Sequence, residues 1–346
     1  VGVFSLTATP PVAGYFGETV STSVSGNIGR FAPAYLTASG SASLTPSCGA
    51  AFSYQGQPMA FAVGQEPSLT VTGKNRSGVV TNNYDRGDFW RLGIPTRDPY
   101  LSVTAKTSLD AVGRLTSSAA VAPLQSGADS GDGARSYRWS GETLQYSPAV
   151  LPLTDDLPFT AAVRQGFSAA ALTDADAVCN GVGSGCLAFS YDFTNVPGSE
   201  VRLGRLRLSN AHGSELQGLA LPFNLESWQA VAGASFQPEL TDSCTNAAIL
   251  GAPVLSSYTG NLAVGETVAT VSGPLAAAGQ VQLSAPGAGN DGSVQARFAS
   301  QPTWLDYDWD ATGLSAGRRA SRGLGSFGIY QGATPLIFRR ELYRSP

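Results

Sequence analysis

Apolar residues in this chain return at every second position over short runs, and turn-forming residues cut those runs apart. Val201-Arg202-Leu203-Gly204-Arg205-Leu206-Arg207-Leu208 is the clearest case: Leu206 and Leu208 point to one side, Arg205 and Arg207 to the other. Leu69-Thr70-Val71-Thr72 and Tyr100-Leu101-Ser102-Val103-Thr104-Ala105 repeat the rhythm. Side chains alternate across a strand, so each run gives one dry face and one wet face, as in paired antiparallel sheets. The breaks are Asn75-Arg76-Ser77-Gly78, Asp85-Arg86-Gly87, Asp132-Gly133, Asn180-Gly181 and Asn290-Asp291-Gly292, several of them hairpin-type steps. Helical periodicity is nearly absent, with single turns expected near 246–250. The pattern predicts an all-β fold of tandem immunoglobulin-like antiparallel β-sandwiches with very little helix.

A length of 346 residues suits two or three domains. The proline-rich stretch 147–158 reads as an interdomain crossing, which divides the chain into 1–150 and 151–346, with a further break expected near 250 at Leu250-Gly251-Ala252-Pro253. Residues 1–28 alternate like one or two strands and form a candidate strand-exchange segment, able to complete their own sheet or a neighbour's. The Gly/Asp/Ser stretch 126–133 reads as a mobile loop.

Charged residues make up only 13 % of the chain and the net charge is −4. No basic stripe exists to neutralise phosphates, which argues against nucleic acid as a partner. No run approaches the roughly 20 apolar residues of a spanning helix, so the chain is not expected to cross a membrane that way. Val1 opens inside a strand-like segment without an initiator Met, which reads as a mature product or as part of something longer. The four cysteines, Cys48, Cys179, Cys186 and Cys244, form no CxxC pair, and the single His212 cannot complete a zinc set. An even count in such a chain predicts disulfides and an oxidising compartment. Cys179 and Cys186 bracket a short Gly-rich loop and meet easily. Cys48 with Cys244 is the arithmetic remainder, the alternative being two buried free thiols.

No catalytic set emerges. A Ser–His–Asp triad would have to use His212, which sits in a turn-like Asn210-Ala211-His212-Gly213, and no serine has the frame of a nucleophile elbow. No feature selects a pair from the 25 acidic residues. In Trp304-Leu305-Asp306-Tyr307-Asp308-Trp309-Asp310 a strand would put Asp306, Asp308 and Asp310 on one face, either solvated or bridged by calcium. Asp174 and Asp176 beside Cys179 form a second calcium candidate. Calcium is therefore the one cofactor that the sequence raises. Among the aromatic residues, Trp90 and Trp139 have charged neighbours and are the candidates for glycan contact, against the commoner fate of Trp in a sandwich core.

A series of segments then stands in a recognisable order. They are Gly29-Arg30-Phe31-Ala32-Pro33, Cys48-Gly49-Ala50-Ala51-Phe52-Ser53-Tyr54-Gln55-Gly56-Gln57-Pro58, Leu69-Thr70-Val71-Thr72-Gly73-Lys74-Asn75, Thr81-Asn82-Asn83-Tyr84, Gly204-Arg205-Leu206-Arg207-Leu208-Ser209-Asn210-Ala211-His212-Gly213-Ser214-Glu215-Leu216, Asp242-Ser243-Cys244-Thr245, Phe327-Gly328-Ile329-Tyr330-Gln331-Gly332 and Ile337-Phe338-Arg339-Arg340-Glu341. Together they resemble the C-terminal region of MshQ-like proteins, a domain of unknown function associated with the mannose-sensitive haemagglutinin pilus of Gram-negative bacteria. The resemblance spans residues 29–341. It implies export through the periplasm to the cell surface or beyond. It also implies a non-enzymatic structural or adhesive role on a bacterial surface appendage, as a filament subunit or beside one. Expected partners are copies of itself or other pilus and surface proteins. A carbohydrate-binding sandwich, with a glycan as partner, is the alternative.

Overall fold

The computed structural model describes residues 1–10, 16–18, 20–111, 113–183, 185–195, 197–231, 233–273 and 278–328. The resemblance segments beyond residue 328 lie outside the described residues. The fold is all-β and mainly antiparallel, and its α-helix among the described residues is limited to Thr107–Asp110 and Ala247–Leu250. The second of these turns is capped by the Asn246 side chain, which accepts from the Ile249 amide at 3.1 Å.

The chain divides into two compact units. One holds Val1–Pro148 and Pro158–Arg202, the other Ala149–Leu157 and the residues from Leu203 onward. The boundary expected near 150 thus lies at 202/203, because backbone pairing carries the chain back after its prolines. Strand Ala162–Phe167 pairs antiparallel with Phe189–Thr194 and with Leu101–Ser102, and Glu200–Arg202 runs parallel to Phe52–Tyr54. Residues 149–157 are a short excursion into the second unit. There Trp228 Nε1 donates to the Leu153 carbonyl at 3.1 Å, and Arg318 donates to the Ala149 carbonyl at 2.7 Å. Nothing breaks near 250, since Pro253–Gly260 pairs with Gly292–Phe298, which also pairs with Gly323–Phe327.

In the first unit, Leu124–Ser126, Ala134–Arg138, Ser68–Lys74 and Tyr35–Ser41 form a four-stranded antiparallel sheet. Leu69 and Val71 are buried and the threonines between them are not, as the alternation requires. These residues, with Leu36 and Tyr137, pack with Phe167 of the facing strand and Trp90 and Trp139. A second cluster joins Leu144, Tyr146 and Met59 to Val163 and Phe193. The strand Ala162–Phe167 serves both clusters, through Phe167 in one and Val163 in the other. Its outward Arg164 pairs with Asp192 on the neighbouring strand.

In the second unit, Gly204–Leu208, Leu219–Gln229, Ala278–Leu283 and Ala269–Ser272 form one sheet, with Ser235–Pro238 added to the long strand. Leu206 and Leu208 are buried while Arg207 is exposed. Facing it are Ala211–Gly213, Gly323–Phe327, Gly292–Phe298 and Pro253–Gly260. Phe223 and Phe298 meet across the layers edge to face, with centroids 5.1 Å apart. A Cβ on Gly325 would lie 2.5 Å from Leu283, so the absence of a side chain there sets how closely the layers approach. Two sheets with inward apolar faces in contact make a sandwich.

The segment 1–28 mostly pairs locally. Gly2–Phe4 pairs with Ile28–Phe31 and Thr7–Ala8 with Ser23–Val24. This ribbon joins neither main sheet and keeps Val3, Phe4, Leu6, Val24 and Phe31 exposed. The loop expected to be mobile at 126–133 is tethered. Buried Asp85 accepts from the Gly131 amide at 2.7 Å, the Ser130 hydroxyl at 3.0 Å and the Gly133 amide at 3.1 Å.

Candidate functional site

A group of ionisable side chains in the first unit lies in a cleft of about 530 Å³ between the extended segment 94–100 and residues 115–123. Gly141, at φ +82°, turns the chain out of strand Ala134–Arg138, and Glu142 follows directly. Pro95 and Pro99 keep the opposite wall extended and place Arg97 and Tyr100 against it. Arg97 forms a forked ion pair with Glu142, in which Nη1 donates to Oε2 at 2.9 Å and Nη2 donates to Oε1. The Tyr100 hydroxyl accepts from Arg97 at 2.5 Å and donates to Glu142 at 2.8 Å, and the Val121 amide reaches the same carboxylate at 3.2 Å. Arg97 also lies over the Trp139 ring, 4.6 Å from its centroid.

This arrangement is closed. Glu142 takes four donors, and 1 % of its side chain is exposed. A carboxylate whose oxygens are already engaged by four donors has little left to offer a substrate. Burial raises the Tyr100 hydroxyl far above its ordinary value; Arg97 opposes the shift and Glu142 adds to it. Burial likewise raises Tyr146 and Tyr191 to about 12 each. These hydroxyls stay protonated at neutral pH; Tyr100 donates to Glu142, and Tyr146 donates to the Ala162 carbonyl at 3.3 Å. No sequence signal marks the pair, because Arg97 and Glu142 are 45 residues apart and share no motif.

The remaining sequence candidates separate. Cys179 and Cys186 are bonded, with Cα atoms 5.4 Å apart, and no cysteine of the four is free. The Cys179 carbonyl accepts from Leu36 and the Gly181 amide donates to the Leu36 carbonyl, so the bonded loop is fixed to the edge of strand Tyr35–Ser41. Asp174 is buried beneath it. It accepts from the Tyr84 hydroxyl at 2.6 Å and from the Asp176 and Val178 amides at 2.9 Å, while Asp176 pairs with Arg30 at 2.8 Å.

The Asp306, Asp308 and Asp310 segment is not the strand that was expected. It follows the 3-10 turn Thr303–Leu305, and its only β contact is the isolated bridge from Tyr307 to Arg319. The three carboxylates have different partners: Asp306 has Gln301, Asp308 has Thr312 and the Gly313 amide, and Asp310 has Arg319. Neither this trio nor the pair Asp174 and Asp176 gathers into a metal-holding group among the described residues. Burial raises Asp306 above its ordinary value against the opposing Gln301 hydrogen bond. The Arg319 hydrogen bond holds Asp310 below its own.

Trp90 and Trp139 are 8 % and 3 % exposed, so neither ring is the open platform that glycan contact requires. Cations distant in sequence lie over both rings: Arg135 is 5.0 Å from the Trp90 centroid, and Arg97 covers Trp139. His212 lies on the exposed strand Ala211–Gly213, in parallel register with Ser326, not in a turn. Among the described residues no side chain hydrogen-bonds to it.

Residues 1–193 match the family model described as DUF6701, third domain, and residues 202–342 match DUF6701, fourth domain. The second match begins at 202, beside the division between the two units at 202/203, while residues 149–157 of the second unit fall within the first match. No curated protein matches the chain. Among solved structures it is similar to a three-domain immunoglobulin segment of titin, domains I67-I69 in an E-to-A mutated variant. The identity is 10 %, with 88 % of this chain and 90 % of that one covered and a TM-score of 0.21, an overlap too loose to carry an argument.

Proposed function

The chain belongs to the DUF6701 family, carrying its third and fourth domains in tandem, and from that premise we propose that it is a non-enzymatic structural or adhesive module. In this reading it is exported through the periplasm and works on the cell surface, as part of a bacterial appendage or beside one. The observation that carries the proposal is the use made of buried charge. Glu142, Asp85, Asp174 and Asp308 hold a wall, a loop, a disulfide turn and a chain reversal, each through several donors. Charge engaged in this way fixes shape. The oxidised cysteines support an oxidising compartment, and no helix among the described residues is long and apolar enough to cross a membrane. The pilus connection rests on the resemblance to MshQ-like proteins.

Immunogold labelling of intact cells, paired with attachment assays on a deletion strain, tests the proposal. Label on the surface or on filaments, with weakened attachment or altered filaments in the deletion strain, is the expected result. A cytosolic location, or a deletion strain unchanged in both respects, would count against it.

A further inference from the structure

A second cleft, of about 360 Å³, lies in the second unit where the end of strand Gly204–Leu208 meets the chain just before strand Gly323–Phe327. Its lining includes Arg207, Arg319, Arg322 and Trp309, with Ser209 and Asn210 beside them and no acidic residue. The convergence runs against the chain as a whole, which is acidic and holds only 21 basic residues.

The walls are fixed in advance. The Leu208 amide donates to the Ser321 hydroxyl at 2.8 Å, and the Leu324 amide donates to the Asn210 side-chain oxygen at 2.8 Å. A Cβ on Gly323 would sit 2.7 Å from Leu208 and 2.8 Å from the Ser209 carbonyl, so glycine lets the two segments close. A site whose frame is already hydrogen-bonded loses little entropy when a ligand arrives.

The cations are only partly neutralised. Glu226 is held by Arg205 at 2.6 Å, which leaves Arg207 at 3.7 Å from it and 55 % exposed. Asp310 pairs with Arg319 at 2.5 Å. Among the described residues Arg322 hydrogen-bonds only the Gln295 amide oxygen, at 3.4 Å. Three arginines thus line one opening, with Asp310 close on Arg319 and Glu226 more distant from Arg207. Planar forks match the two oxygens of a carboxylate, and the hydroxyl and amide groups beside them match the hydroxyls of a sugar ring; the Trp309 indole, with Arg205 5.2 Å from its centroid, closes the wall behind.

We infer that this cleft binds an acidic saccharide, with Arg207 and Arg322 holding the carboxylate of a hexuronate and Ser209 and Asn210 facing its hydroxyls. The inference concerns a ligand and adds to the structural role; its failure would leave that role standing.

Calorimetric titration of the whole chain with trigalacturonate tests it, with a neutral galactose trisaccharide and sodium sulfate as comparisons. Trigalacturonate should bind, and the neutral sugar should bind at least about tenfold more weakly, since one charge-assisted fork is worth a tenfold change or more. Arg207→Ala with Arg322→Ala should weaken trigalacturonate by at least about tenfold, and Arg322→Lys should recover only part, because it restores the charge without the fork. Asp310→Asn should tighten binding by removing the competing carboxylate. Circular dichroism of each variant checks that these exposed changes leave the fold intact. The inference fails if trigalacturonate shows no heat at about 10 mM, if the neutral sugar binds equally well, or if the folded double variant binds unchanged. Sulfate binding as tightly as trigalacturonate would also overturn it, because the site would then read charge alone.

Discussion

Glu142 and Arg97 illustrate how one buried pair can hold a wall in place. Their side chains are 1 % and 11 % exposed, so removing either leaves the other charged with little water to solvate it. Arg97→Met is expected to cost about 3–5 kcal/mol in urea unfolding, and Arg97→Met with Glu142→Leu less than the sum of the two single changes. Strictly additive costs would show that the pair is not coupled. Asp85 works by hydrogen bonding alone. Burial pushes its carboxyl up, but the Gly131 amide, the Ser130 hydroxyl and the Gly133 amide together hold it below its ordinary 3.8. The folded protein therefore binds that proton less readily than the unfolded chain does. The stabilisation is present above the unfolded value and is lost as pH falls through the folded one, in the window below about pH 4. Asp85→Ala should cost about 3 kcal/mol at pH 7 by leaving buried amides without an acceptor. The variant's stability should also fall less steeply than the parent's on acidification; equal slopes would rule out Asp85 as a source of acid sensitivity.

Among the elements, the loop 179–186 is the most separable. Its disulfide closes a short ring, and a ring of this size is worth about 2 kcal/mol through the unfolded state. Cys179→Ser with Cys186→Ser should lower stability by that amount, while the loop keeps its backbone contacts to Leu36. A thiol assay on the denatured, unreduced parent should find no free cysteine. Elements of this kind were legible beforehand. The faces of strand Gly204–Leu208 follow from alternation, the turn at Asn75 from its own side chain, which accepts from the Ser77 and Val79 amides, and the bonded loop from its shortness. Pairing across long separations was not legible. Nothing local says that Glu200–Arg202 lies along Phe52–Tyr54, or that Asp306, Asp308 and Asp310 turn to three different partners instead of lining a strand. The tryptophans misled for a related reason: the arginines stacked on them come from far along the chain, and a charged residue next in sequence says nothing of whether the ring is covered.

At the scale of the molecule, the division at 202/203 makes a prediction about fragments. A piece ending at 150 lacks Ala162–Phe167 and Phe189–Thr194, which bury Val163, Phe167 and Phe193, and should show no cooperative unfolding. A piece ending at 202 keeps those strands and should unfold cooperatively; the reverse outcome would return the boundary to the proline-rich stretch. The path of residues 149–157 has a consequence for the order of synthesis. They leave the ribosome after the first 148 residues, yet Trp228 lies 75 positions beyond Leu153 and Arg318 lies 169 beyond Ala149. While the earlier unit completes itself with residues 158–202, these two ties are still to come: the first arrives with Trp228, the second only with Arg318. A newborn molecule thus holds its middle stretch less firmly than a finished one does, and that is where a protease would find it.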